Sequence, residues 1–64
     1  MISVDGYKMF RGTMRIKYPK GEPIEARGDW LYKPEYGYWY SYCVPGFASS
    51  FSEKFCEVVE DETA

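Results

Sequence analysis

The chain has 64 residues, a formal net charge of -2, no histidine and 20% aromatic residues. That length allows one small domain, which buries only about 60% of the surface its unfolded chain exposes, so stability must come from large core side chains or from association. The net charge gives no general attraction to nucleic acid, and the missing histidine removes the usual base for a cysteine or serine nucleophile.

The first ten residues, MISVDGYKMF, lack the basic start and apolar run of an export signal. No stretch approaches the ~20 apolar residues of a membrane span, so a cytoplasmic protein without membrane contact is expected. Prolines 19, 23, 34 and 45 and six glycines interrupt every long helical window, and alternation takes the place of helical periodicity. In KMFRGTMRIKY the even positions hold Phe10, Met14, Ile16 and Tyr18 against Arg11, Thr13, Arg15 and Lys17, the pattern of a strand with one buried face. PKGE follows, where Pro19 stops the strand and Gly21 can take positive φ, which predicts a hairpin. The returning strand sets Ile24, Ala26, Trp30 and Tyr32 against Glu25, Arg27 and Asp29, so opposite charges can meet across the two arms. Gly12 and Gly28 interrupt these arms, where glycine commonly marks a bulge or bend that lets a small sheet curl. The tripeptide RGD at Arg27–Asp29 is read as that bend between two polar-face charges, not as an adhesion motif.

KPEYG predicts the next turn, and Tyr36 to Cys43 the next strand. There Tyr36, Tyr38, Tyr40 and Tyr42 share one face, and Gly37, Trp39, Ser41 and Cys43 the other. Indole and thiol tolerate burial, so Trp39 and Cys43 are expected inside and the tyrosine ladder partly exposed. VPGFASS reads as a loop and FSEKF as one 3₁₀ turn. FCEVVE reads as the last strand, with one or two of Phe55, Cys56, Val58 and Val59 buried on each side. Residues 60–64 are expected to fray as an acidic tail of the single domain 1–64. Cys43 and Cys56 are expected as free thiols in a reducing compartment, and two cysteines without histidine do not complete a zinc site.

The C-terminal half, with YGYWY, a glycine-bearing loop and FSEKFCEVVE, resembles the end of SH3 domains. In that likeness Gly37, Tyr38 and Trp39 fall on the Gly-Trp-Trp positions, and Phe51, Ser52, Lys54, Phe55 and Cys56 on the Phe, Pro, Asn, Tyr and Val positions of the last turn. The resemblance implies an all-β, SH3-like small barrel of about five antiparallel strands with a short 3₁₀ turn before the last. Polyproline binding does not carry over, because Tyr38, Ser52 and Phe55 stand where the ligand-binding Trp, Pro and Tyr belong and the N-terminal Ala-Leu-Tyr-Asp-Tyr stretch is missing. FRGTMRI, GDWLYKPEYGYWY and CEVVEDE also look like small proteins of gut Firmicutes and their phages or prophages, which implies a mobile-element setting and action on a host protein.

With no P-loop, dinucleotide fingerprint or zinc-protease motif, and no nucleophile paired with a base, no catalysis, metal or cofactor is expected. The leading expectation is a protein-interaction module, adaptor or inhibitor, whose patch is Tyr36, Tyr38, Tyr40 and Phe55, since tyrosine is enriched at binding hot spots. The same rings are equally suited to capping a thin core, as one strand does not show which face is inside. A second expectation is single-stranded nucleic acid on Arg11, Arg15 and Lys17, with tyrosines stacking bases. Its bland counterpart is a solvated strand face paired with Glu25 and Asp29. A third expectation is a homo-oligomer that buries the aromatics against another copy.

Overall fold

The computed structural model describes residues 1–41 and 50–63. Within them lie six strands, β1 Ile2–Val4, β2 Tyr7–Ile16, β3 Ile24–Lys33, β4 Tyr38–Tyr40, β5 Ser50–Ser52 and β6 Cys56–Asp61, with a 3₁₀ turn at Glu53–Phe55. All pairings are antiparallel in the order β1-β2-β3-β4-β5, and β6 returns to pair with β2. Among the described residues no helix is long and apolar enough to cross a membrane.

The alternation read from the sequence is the alternation of the sheet. β2 and β3 pair from Lys8 opposite Tyr32 to Ile16 opposite Ile24, and Gly21 takes positive φ (93°) in the turn between them. Their inward positions supply Phe10, Met14, Ile16 and Trp30 to the core, which Trp39 and Phe51 complete. Trp39 is 7% exposed, as its alternation with the tyrosines predicts. The core is aromatic in construction. Phe10 and Trp39 meet edge to face at 5.4 Å, Trp30 and Phe51 at 6.2 Å, and the Trp30 indole donates to the Gly12 carbonyl at 3.3 Å.

Gly12 explains how β2 accepts β6. A Cβ on it would lie 2.0 Å from the Glu60 carbonyl oxygen, far inside van der Waals contact, so only a residue without a side chain lets the two backbones approach. The register of the β2–β6 pairing shifts beside it, between Thr13 and Met14. The irregularity thus belongs to the docking of β6, whereas β2 and β3 pair without a register break across Gly12 and Gly28, where a bulge or bend in the hairpin was expected.

Several expectations change. The described residues hold six strands where about five were expected: β1 is additional, and it forms because Asp5 and Gly6 both take positive φ (51° and 85°) and set Val4 opposite Tyr7, a two-residue turn that suits strand twist. Ser50–Ser52 is a strand, so the 3₁₀ turn begins at Glu53. Tyr36 and Gly37 belong to the turn before β4, with both amides donating to the Lys33 carbonyl, while Tyr42 and Cys43 lie outside the described residues. Tyr18 is exposed beyond the end of β2, where the turn has already taken the chain off the core. The expected last strand buries nothing completely: Phe55, at the end of the 3₁₀ turn, and Cys56 are half-buried, and Val58 and Val59 exposed. Glu60 and Asp61 belong to β6, and Glu62 and Thr63 continue along β2 by bonding the Arg11 backbone. The hydrogen-bonded ladder is not closed. β5 reaches β6 through the 3₁₀ turn, which is pinned to the Gly37 carbonyl at its start and to the Lys17 amide at its end.

Three substitutions test this arrangement. Gly12→Ala is expected to cost about 3 kcal/mol or more, or to prevent folding, because it forces backbone from backbone; a urea transition matching wild type contradicts the docking role. Trp39→Ala is expected to cost ~3 to 5 kcal/mol while Tyr38→Ala leaves the domain folded, and thermal melts giving the reverse order would invert the face assignment.

Candidate interaction surface

With Phe10, Trp30 and Trp39 inward, their neighbours Met9, Leu31, Tyr38 and Tyr40 point to the other face of the sheet. Directly paired residues share a face, so the registers Ile2 opposite Met9, Met9 opposite Leu31 and Leu31 opposite Tyr40 make one row across four strands. Val4 paired with Tyr7, and Lys33 paired with Tyr38, extend it toward the turns. Ile2 is 53% exposed, Met9 50% and Val4 62%, whereas Leu31 and Tyr40 are half-buried between their neighbours. Two shallow depressions share Met9 in their walls. One, of about 210 Å³, lies by Ile2, Arg11, Asp29 and Thr63, and the other, of about 230 Å³, by Leu31, Lys33, Tyr40 and Ser41.

Of the expected patch, Tyr38 and Tyr40 lie on this outer face. Tyr36 is exposed at its rim, in the turn whose Glu35 carboxylate accepts from the Tyr7 hydroxyl at 2.8 Å; that bond holds the Tyr7 phenol above its ordinary pKa. Phe55 sits elsewhere. Its ring faces Tyr18 at 5.6 Å, beside the Lys17 end of β2. Sequence reasoning missed Ile2, Val4, Tyr7, Met9 and Leu31 as surface residues. Two signals pointed to them: the Asp5-Gly6 dipeptide, a strong hairpin turn, and apolar Tyr7 and Met9 at odd positions of a strand whose later odd positions are polar.

Farther along the same face the side chains are charged and mutually satisfied. Arg15 bonds Glu25 at 2.8 Å and Glu57 at 3.1 Å, Lys17 bonds Glu57 at 2.9 Å, and Arg27 bonds Glu62 at 2.6 Å. Arg11 makes only a loose approach to Asp29, at 3.9 Å. The three candidate nucleic-acid residues Arg11, Arg15 and Lys17 thus share one face, each with a carboxylate against it. Their partners respond. Lys17, and then Arg15, hold the Glu57 carboxyl below its ordinary pKa, Arg27 does the same for Glu62, and the Met1 amine for Asp61. Glu25, hydrogen-bonded to Arg15, raises the guanidinium pKa further.

Lysines 8, 33 and 54 have a different setting. The Lys33 ammonium lies 4.6 Å from the Tyr40 ring centre, and Lys8 and Lys54 each lie 5.3 Å from those of Tyr32 and Phe55, contacts of the cation–π kind. The Tyr32 hydroxyl donates to Glu53, which raises the phenol pKa. Cys56 is a half-buried free thiol that donates to the Ser52 carbonyl at 3.3 Å. Burial, and secondarily the Glu53 charge, push its pKa to about 11, which suits a structural thiol better than a nucleophile. No protein-family model, curated protein or solved structure matches the chain.

The depressed carboxylates set a pH dependence. Glu57, Asp61 and Glu62 have folded pKa values below their unfolded ones, so their contribution is complete above the ordinary carboxylate range of about 4 and is lost as pH falls through the folded values. Thermal melting followed by circular dichroism is expected to be level near neutrality and to decline below about pH 4.5. A melting temperature unchanged down to about pH 3 contradicts the coupling of β6 to these pairs.

Proposed function

We propose that the chain is a non-enzymatic protein-interaction module, an adaptor or inhibitor, that contacts its partner through the outer face of β1 to β4. The observation that carries this reading is the unbroken row Ile2, Met9, Leu31 and Tyr40 on the side of the sheet away from the core. A solvated face of an antiparallel sheet is ordinarily polar at its outward positions, and a contiguous apolar patch on a small domain marks an interaction site. Tyrosine and methionine are also side chains enriched at protein interfaces. Within this reading Tyr38 and Tyr40 stay in the binding patch, Tyr36 borders it and Phe55 falls outside.

The architecture is read as SH3-like. The meander β2 to β5, the 3₁₀ turn and the return of the last strand to β2 follow the order of that barrel, which supports the likeness without a closed ladder. A cytoplasmic, phage- or prophage-encoded setting belongs to the same proposal and rests on sequence resemblance alone. The nucleic-acid reading draws less support, since Glu25 and Glu57 already occupy Arg15 and Lys17, two of the three cations a phosphate would need.

Capture from a lysate of the source organism tests the reading. The tagged protein is expected to retain a nuclease-insensitive, salt-resistant protein that Met9→Lys weakens about tenfold or more and Arg15→Ala leaves in place. Capture of nucleic acid that is lost on Arg15→Ala and on adding salt would replace this reading with the second one.

A further inference from the structure

We propose that the occupant of this face is a second copy of the chain, in an isologous dimer whose two-fold axis runs along the row Ile2, Met9, Leu31 and Tyr40. The inference rests on the interaction-module reading and names its partner. Its basis is the order of side chains on the outward positions of β3, where Asp29 lies two residues before Leu31 and Lys33 two residues after it. An isologous contact requires a surface complementary to itself under a two-fold rotation. A rotation about an axis lying in the contact plane, across the strands at Leu31, reverses β3 and stacks each Leu31 on its counterpart. Asp29 then faces Lys33 of the second copy, about 6.7 Å along the strand from the axis, and Lys33 faces the other Asp29. The same operation places Tyr7 and Arg11, each two residues from Met9 on β2, opposite one another, a phenol against a guanidinium.

The intramolecular ion pairs support this choice. Arg15, Lys17 and Arg27 each hold a carboxylate at 3.1 Å or less. Asp29 has only the 3.9 Å approach of Arg11, and Lys33 lies over a ring. Among the described outward charges of β2 and β3, Arg11, Asp29 and Lys33 are therefore the loosely engaged ones, and the rotation sets Asp29 against Lys33. Two sheets pack face to face about 10 Å apart with strands within about 30° of one another, which the outward apolar row can fill. Five residues each of β2 and β3 with the three each of β1 and β4 cover roughly 250 Å² of sheet plane per copy, well below the ~800 Å² per partner of a standard interface. The dimer is accordingly weak and reversible, with a dissociation constant on the order of 10 µM to 1 mM. A foreign partner that takes the face competes with the second copy.

Sedimentation equilibrium on the untagged chain, across the micromolar range and up to about 1 mM, tests the proposal with charge reversals. Wild type is expected to approach twice its monomer mass. Asp29→Lys alone and Lys33→Asp alone are expected to remain monomeric at concentrations where wild type is half dimeric. An equimolar mixture of the two variants is expected to recover the dimer, because one chain then carries lysine at both positions and the other aspartate, so both cross-chain contacts join opposite charges. Circular dichroism melts confirm that both variants fold. Wild type that stays monomeric throughout overturns the proposal, as does self-association that survives both single reversals or a mixture that stays monomeric. Monomeric wild type that still captures a protein sensitive to Met9→Lys overturns self-association while leaving the binding face in place; loss of both overturns the reading beneath it.

Discussion

The bare backbone of Gly12, against which the Glu60 carbonyl lies too close for any Cβ, is the contact that organises this sheet. It lets one edge of β2 take β1 near Tyr7 to Met9 and β6 from Gly12 to Ile16, while the other edge pairs with β3. The same residue's carbonyl accepts the Trp30 indole. One position thus admits the last strand and satisfies the largest polar handle in the core, which would otherwise be buried at a cost of several kcal/mol in an apolar medium.

The consequences divide the molecule by face. Inward residues from β2 to β5 form a six-residue core in which β3, β4 and β5 each contribute one aromatic ring and β2 contributes Phe10 with Met14 and Ile16. Such a core is small, and aromatic area is the means by which a short chain reaches a useful margin. β6 adds no fully buried side chain to it. Its attachment depends on the backbone ladder and on the carboxylates of Glu57, Asp61 and Glu62, so the strand that completes the sheet is also the one most responsive to solvent conditions.

The outer face repeats this division in two dimensions. Toward the hairpin of β2 and β3, basic and acidic side chains neutralise one another within the chain and leave little unanswered charge for a ligand. Toward the turns that precede β2 and β4, the face is apolar and aromatic, with Lys33 lying over the Tyr40 ring. The proposed binding role falls to that second end. Large side chains there gain by leaving water, and no internal ion pair must be broken to let a partner approach.

Strand identity in β2 and β3 was written in the sequence, because side chains alternate with period two and a one-residue slip would expose Phe10, Trp30 and Trp39. The same period determined that Trp39 lies inside and Tyr38 outside. It did not reveal β1, whose three residues carry too short a pattern, or that Phe55 packs against Tyr18. Nor did it reveal that Ile2, Met9, Leu31 and Tyr40 form a row, since that needs the registers of three separate pairings. Local alternation determines which way a side chain points relative to its own strand; only pairing between distant strands decides which side chains become neighbours, because that choice depends on where backbones can approach, as they do at Gly12.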